Sequence, residues 1–183
     1  MKSCATPIQD LLILELEYSS DNRGSFYRLF CDLELRDVLD GNAIVQVNHS
    51  MTIKSGSVRG LHFQYPPSAE IKIIRCIRGS VFDVAVDLRA NSESMLNWHG
   101  VQLSACDNLA VVIPQGFAHG FQSLEPNSEL LYLHSAHYDP TVEGGVRYDD
   151  PRVAIEWPLE ITEVSDRDRS HPLIEADFTG ISV

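Results

Sequence analysis

Short runs of strand-forming residues recur along most of the chain, and turn residues close each one off. This spacing limits the possible folds more than any other feature. The runs are Leu11–Glu17, Ser25–Phe30, Ala43–His49, Ser57–Gln64, Ile71–Arg78, Val81–Leu88, Trp98–Leu103, Ala110–Ile113, Ala118–Leu124 and Leu130–Ala136. Only Asp32–Leu39 places apolar residues (Leu33, Leu35, Val38, Leu39) at helical spacing. About ten short strands and one small helix predict an all-β antiparallel sandwich or barrel. Arg78-Gly79-Ser80 is short enough to predict a hairpin. Pro66-Pro67 stops pairing after Gln64. The tail from Pro158 is mixed, with a polar stretch at Ser165–His171. At 183 residues the chain is read as one domain, 1–183.

Charge narrows the function classes. The net charge is −12, which argues against general nucleic-acid binding. No apolar run approaches membrane-spanning length, and residues 1–7 lack a secretory apolar core. Cys4, Cys31, Cys76 and Cys106 have no zinc-ligand spacing. They are read as reduced thiols in a cytoplasmic protein. Within this acidic chain, Arg59, His62, Lys72 and Arg75 alternate with apolar residues on two neighbouring strands. The simplest reason for that local positive charge is an anionic small molecule. Period-two alternation puts Arg59 and His62 on opposite faces. It also separates Lys72 from Arg75 and groups Tyr132 with Leu130 and His134.

Each candidate has a plain structural alternative. His62 is a general base near neutral pH or a hydrogen-bonded interior histidine. Tyr132 is a proton donor in a dry pocket or a core tyrosine. Asp168 orients His62 or belongs to a solvated charge run. Arg23 and Phe26 grip and stack on a ligand or form a simple turn. Gln46 and Asn48, two apart on one strand, hydrogen-bond a polar ligand or face water. A metal reading would use His62, Gln64, Glu70 and His119. Glutamine is a weak transition-metal ligand, and Arg59 and Lys72 repel a cation, so no metal is expected there.

Taken in order, several segments resemble the dTDP-4-dehydrorhamnose 3,5-epimerase family. They are Asp21–Phe26, Gln46-Val47-Asn48-His49-Ser50, Val58–Gln64, Ala69-Glu70-Ile71-Lys72, Val81–Arg89, Ile113–Phe121, Leu131-Tyr132, Glu143–Pro151 and Ser165–Pro172. The resemblance implies a cupin-like jelly roll and a homodimer with exchanged N-terminal strands. It implies no cofactor and no metal. It makes His62 the base, Tyr132 the acid and Asp168 the partner of His62. Lys72 lies near the sugar's keto oxygen, and Arg59 and His119 contact the diphosphate or sugar. Arg23, Phe26, Gln46, Asn48 and Glu143 make the remaining substrate contacts. Three places in the chain depart from the family pattern. Arg28 stands where many members have glutamate, Leu133 replaces a common lysine, and Ala136-His137 replaces an acidic-aromatic pair.

The chemistry fits the residues independently. Carbons flanking a keto group carry acidic protons. Inversion needs a base on one face and an acid on the other. The enolate between them needs a donor or cation at its oxygen. The expected substrate is a nucleotide-diphosphate 4-keto-6-deoxysugar, epimerised at C3, C5 or both. A 3,4-ketoisomerase, or a non-catalytic or metal-binding cupin, remains the alternative.

Overall fold

The computed structural model describes residues 1–183. Its strands are β1 (Lys2–Ala5), β2 (Leu12–Glu15), β3 (Tyr18–Asp21), β4 (Gly24–Tyr27), β5 (Gln46–Thr52), β6 (Val58–Gln64) and β7 (Lys72–Arg78). They continue as β8 (Ser80–Asp87), β9 (Trp98–Ser104), β10 (Leu109–Ile113), β11 (Phe117–Ser123), β12 (Ser128–His134) and β13 (Glu143–Gly145). Two short helices complete the fold, α1 (Arg36–Leu39) and α2 (Asp166–Ser170). A six-stranded sheet in the order β1-β2-β10-β7-β12-β5 faces a five-stranded sheet in the order β13-β6-β11-β8-β9. All named strand pairings are antiparallel. This is the expected all-β, cupin-like jelly roll.

The inner faces meet through Ile74, Cys76, Val111, Ile113 and Leu130 on one side and Val81, Ala85, Leu103, Phe117 and Phe121 on the other. The outer faces are covered too. Leu35 and Leu39 pack with Leu14, Ile73, Val112 and Leu133 outside the larger sheet. Val146, Val153 and Ile181 from the C-terminal region cover Leu61, Val84, Val86 and Ala118 outside the smaller one. A strand covered on both faces carries apolar residues on each, so β7 sends Ile74 and Cys76 to the inner core and Ile73 to the outer one.

The structure corrects several sequence expectations. Arg78-Gly79-Ser80 is not a hairpin. β7 pairs with β10 and β12, whereas β8 pairs with β11 and β9, so the chain changes sheets at Gly79. Gly79 has φ +70°, and a Cβ there would lie 2.6 Å from Ser128 Oγ. The Ala43–His49 run becomes a strand only from Gln46 and continues to Thr52. Ser25–Phe30 is extended only to Tyr27, where pairing with β3 ends. The predicted helix is confined to Arg36–Leu39. α2 forms inside the stretch read only as polar.

The most consequential departure is in β6. His62 pairs with His119 and Arg59 with Phe121, so a three-residue step on β6 faces a two-residue step on β11. The extra residue forms a bulge at Gly60, whose φ is +119°. A Cβ at Gly60 would lie 2.6 Å from Gly120 Cα and 2.8 Å from the His119 carbonyl oxygen. The bulge breaks the predicted alternation, and Arg59 and His62 line the same cavity.

Candidate active site

That cavity, of about 270 Å³, opens between the two sheets. Eight of the eleven predicted site residues line it: Gln46, Asn48, Arg59, His62, Lys72, His119, Tyr132 and Glu143. Asp168 stands behind His62, 2.8 Å from its Nε2. Arg23 and Phe26 do not reach the cavity; they sit on the separate β3–β4 hairpin.

His62 is held from two directions. Its backbone oxygen accepts a hydrogen bond from Lys72 Nζ at 3.0 Å. Its Nε2 meets Asp168 Oδ1, and the Gly60 N–H donates to Asp168 Oδ2 at 3.2 Å. Asp168 reaches this position because Ser165 caps α2, accepting from the Asp168 N–H at 3.0 Å. Burial raises the Asp168 pKa, but the hydrogen bonds and charge from His62 and the Gly60 N–H outweigh it, leaving the carboxyl below its ordinary value. A carboxylate on Nε2 favours the tautomer with its lone pair on Nδ1 and stabilises the imidazolium that proton uptake would produce.

Lys72 is buried and pairs with Glu70 Oε1 at 3.0 Å. Glu70 Oε2 accepts from Gln64 Nε2 at 2.6 Å, and Gln64 Oε1 accepts from the Asp139 N–H at 2.6 Å. Gln64 is therefore an organiser of the lysine's partner. His119 Nε2 faces Asp83 Oδ2 at 2.8 Å, with both residues buried. The residues of the cupin-like metal set thus divide among separate pairs: His62 with Asp168, Gln64 with Glu70, and His119 with Asp83. Arg75, part of the sequence cluster, points the other way. It donates to the Leu109 and Asp107 carbonyls and lies 4.9 Å over the Tyr27 ring.

Tyr132 comes from β12 in the larger sheet, whereas His62 comes from β6 in the smaller one. Burial raises the Tyr132 pKa well above its ordinary value, which keeps the phenol protonated. Its hydroxyl lies 3.1 Å from Ser50 Oγ. The His119 ring meets the Tyr132 ring edge-on at 6.0 Å. An imidazole and a phenol carried by different sheets can reach a bound ring from two sides.

Sequence reasoning missed several lining or supporting residues. His134 and Ser50 lie two residues from Tyr132 and Asn48, so strand periodicity could have found them. His134 Nε2 lies 3.4 Å from Asn48 Nδ2. Burial, then the charge of Lys72, lowers the His134 pKa to about 4, leaving the ring neutral near pH 7. Tyr138 donates its hydroxyl to Glu143 Oε2 at 2.7 Å, and Arg167 also pairs with Glu143. Asp83 has no local signal, because its partner His119 is brought in by the sheet. Glu70, read above only as a metal ligand, lies two residues from the Lys72 it pairs with. Arg28 pairs with Glu34, close to the hairpin and outside the cavity lining.

A family profile for dTDP-4-dehydrorhamnose 3,5-epimerase matches residues 5–176. A relative with that activity in its name, from Salmonella typhimurium, is 40% identical over 172 residues, covering 93% of each chain. Among solved structures, dTDP-6-deoxy-D-glucose-3,5-epimerase from Legionella pneumophila in complex with dTDP-4-keto-L-rhamnose superposes with a TM-score of 0.91. It is 35% identical and covers 100% of this chain and 98% of its own. A 3'-monoepimerase from Streptomyces bikiniensis in complex with dTDP-quinovose gives 0.85 at 33% identity, with coverage of 92% and 85%.

Proposed function

The chain belongs to the dTDP-4-dehydrorhamnose 3,5-epimerase family, and from that premise we propose that it inverts C3, C5 or both of a nucleoside-diphosphate 4-keto-6-deoxysugar through an enolate. It is an isomerase of the carbohydrate epimerase class. The observation that carries the mechanism is the placement of His62 and Tyr132 on different sheets around one cavity.

In this reading His62 Nδ1 takes the proton from the carbon beside the keto group. Asp168 stabilises the imidazolium that results. Lys72 faces the enolate oxygen, where negative charge develops. Tyr132 returns a proton from the other face, completing the inversion. Arg59 and His119 meet the diphosphate or sugar, and Gln46, Asn48 and Glu143 fix polar groups of the substrate. The chemistry needs no redox cofactor, since no oxidation state changes overall.

Arg23 and Phe26 belong to this site only if a second copy supplies them. An exchanged homodimer accounts for a hairpin that leaves the body of its own chain with Phe26 74% exposed. No helix is long and apolar enough to cross a membrane. The four unpaired cysteines suit a reducing compartment, the cytoplasm in this reading.

The test is deuterium exchange. Incubated with a 4-keto nucleotide sugar in deuterated water, the protein should place deuterium at C3 or C5. His62→Ala should abolish exchange. Tyr132→Phe should impair inversion more than exchange. Product NMR separates epimerisation from carbonyl migration, which would mean a ketoisomerase. Absence of exchange with every such sugar would overturn the assignment.

A further inference from the structure

His171 has no part in the mechanism above, yet it stands beside the base. It immediately follows α2, and its Nε2 is buried with no hydrogen-bond partner. The ring lies against Gly145, where a Cβ would sit only 2.3 Å from that nitrogen. Gly145 is the residue paired with His62 across β13 and β6. The two imidazoles meet edge-on, with centroids 5.9 Å apart. One donor atom from each of His62, Asp168 and His171 lies within 4.8 Å of the other two.

Two imidazoles and one carboxylate form a donor set suited to zinc and similar transition ions, whereas magnesium and calcium prefer oxygen donors. We propose that His62, Asp168 and His171 form a binding site for a divalent transition metal ion, and that its occupation switches the enzyme off. The inhibitory half rests on His62 being the base. This set differs from the cupin-like one, sharing only His62 with it. Zinc bonds of about 2.0–2.2 Å put tetrahedral donors about 3.3–3.6 Å apart. The His62–Asp168 contact at 2.8 Å therefore opens slightly, and His171 closes in by about an ångström from its present limit. The Gly60 N–H keeps Asp168 oriented through Oδ2, leaving Oδ1 as the donor. Of the nearby cations, Arg167 is paired with Glu143 and Lys72 with Glu70, and Arg59 donates to the Met51 carbonyl.

The position behind the base sets the form of inhibition. An ion on Nε2 moves the ring proton to Nδ1, the nitrogen facing the sugar. The imidazole then has no lone pair for the substrate, although the substrate pocket is unchanged. Inhibition should lower kcat and leave KM in place.

The experiment uses chelator-stripped full-length protein. One equivalent of Co²⁺ should produce a visible d–d absorption band that Zn²⁺ displaces. His171→Ala and His171→Asn should turn over as wild type, lose the band, and need at least about tenfold more Zn²⁺ for inhibition. The proposal is overturned if wild type gives no band, if both variants bind cobalt unchanged, or if zinc raises KM at constant kcat. The cobalt spectrum requires no substrate, so it decides the metal site even if the sugar assignment fails.

Discussion

Gly60 shapes this site as much as the ionisable groups do. Its φ of +119° suits only glycine, and the approach of Gly120 leaves no room for a side chain. The bulge it forms turns Arg59 and His62 to one side. Gly60→Ala should therefore cost about 1–3 kcal/mol of stability in a denaturant melt, and turnover should fall further because both side chains lose their aim. Strict alternation hid this arrangement: a sequence reader counting by twos separates Arg59 from His62. Lys72 and Tyr132, on strands with regular registers here, fall on the expected faces. His134 invites a second measurement. Its folded pKa, about 4, lies below its ordinary value near 6.5, so between these values the unfolded chain binds more protons. Stability contributed by the neutral ring is present above about pH 6.5 and lost as pH falls toward 4. His134→Asn should flatten the pH dependence of Tm across that window; an unchanged slope would refute the assignment.

At the scale of elements, α2 organises the site from outside the sheets. Its five residues carry Asp168 to His62 and Arg167 to Glu143, tying β6 and β13 to one short helix. By sequence, Ser165–Arg169 resembles any solvated charge run, because the partner that gives Asp168 its meaning, His62, is 106 residues away. Local pattern left Asp168 open between such a run and a partner for His62, and the family resemblance chose the second. Asp168→Asn should leave the fold intact while kcat falls by about 10²- to 10⁴-fold, since an amide neither fixes the same tautomer nor stabilises the imidazolium. Ser165→Ala should cost about 1 kcal/mol through loss of the cap. The depressed Asp168 pKa also has a sign: its contribution is complete above the unfolded value near 3.9 and is lost as pH falls through the lower folded value. Acid titration of Tm should show that loss in wild type and a smaller one in Asp168→Asn. The strands themselves were legible because apolar runs and turn residues are local. Gly79 was misread because a tight turn looks the same whether it folds a strand back or passes it to the facing sheet.

At the scale of the whole molecule, two features remain without partners in a single chain. β5 is an edge strand, and Val47 and Met51 on it, with Ile53 just beyond its end, are all at least half exposed. The β3–β4 hairpin stands apart with Tyr18 and Phe26 exposed. A row of apolar side chains on an open edge favours association over solvation. If two chains exchange hairpins, each cavity receives Arg23 and Phe26 from its neighbour and the remaining site residues from its own chain. No local pattern in the chain carries that division, which only the family resemblance implies, because it is a property of two copies. Complementation can. Arg23→Glu and His62→Ala should each cripple a homodimer. In a mixed dimer one cavity carries both lesions, while the other combines an intact His62 with an intact neighbouring hairpin. Random reassociation of equal amounts should restore about a quarter of wild-type activity, from half the dimers with one good site each. If the hairpin instead serves its own chain's cavity, every site in the mixture retains a lesion, and mixing restores nothing.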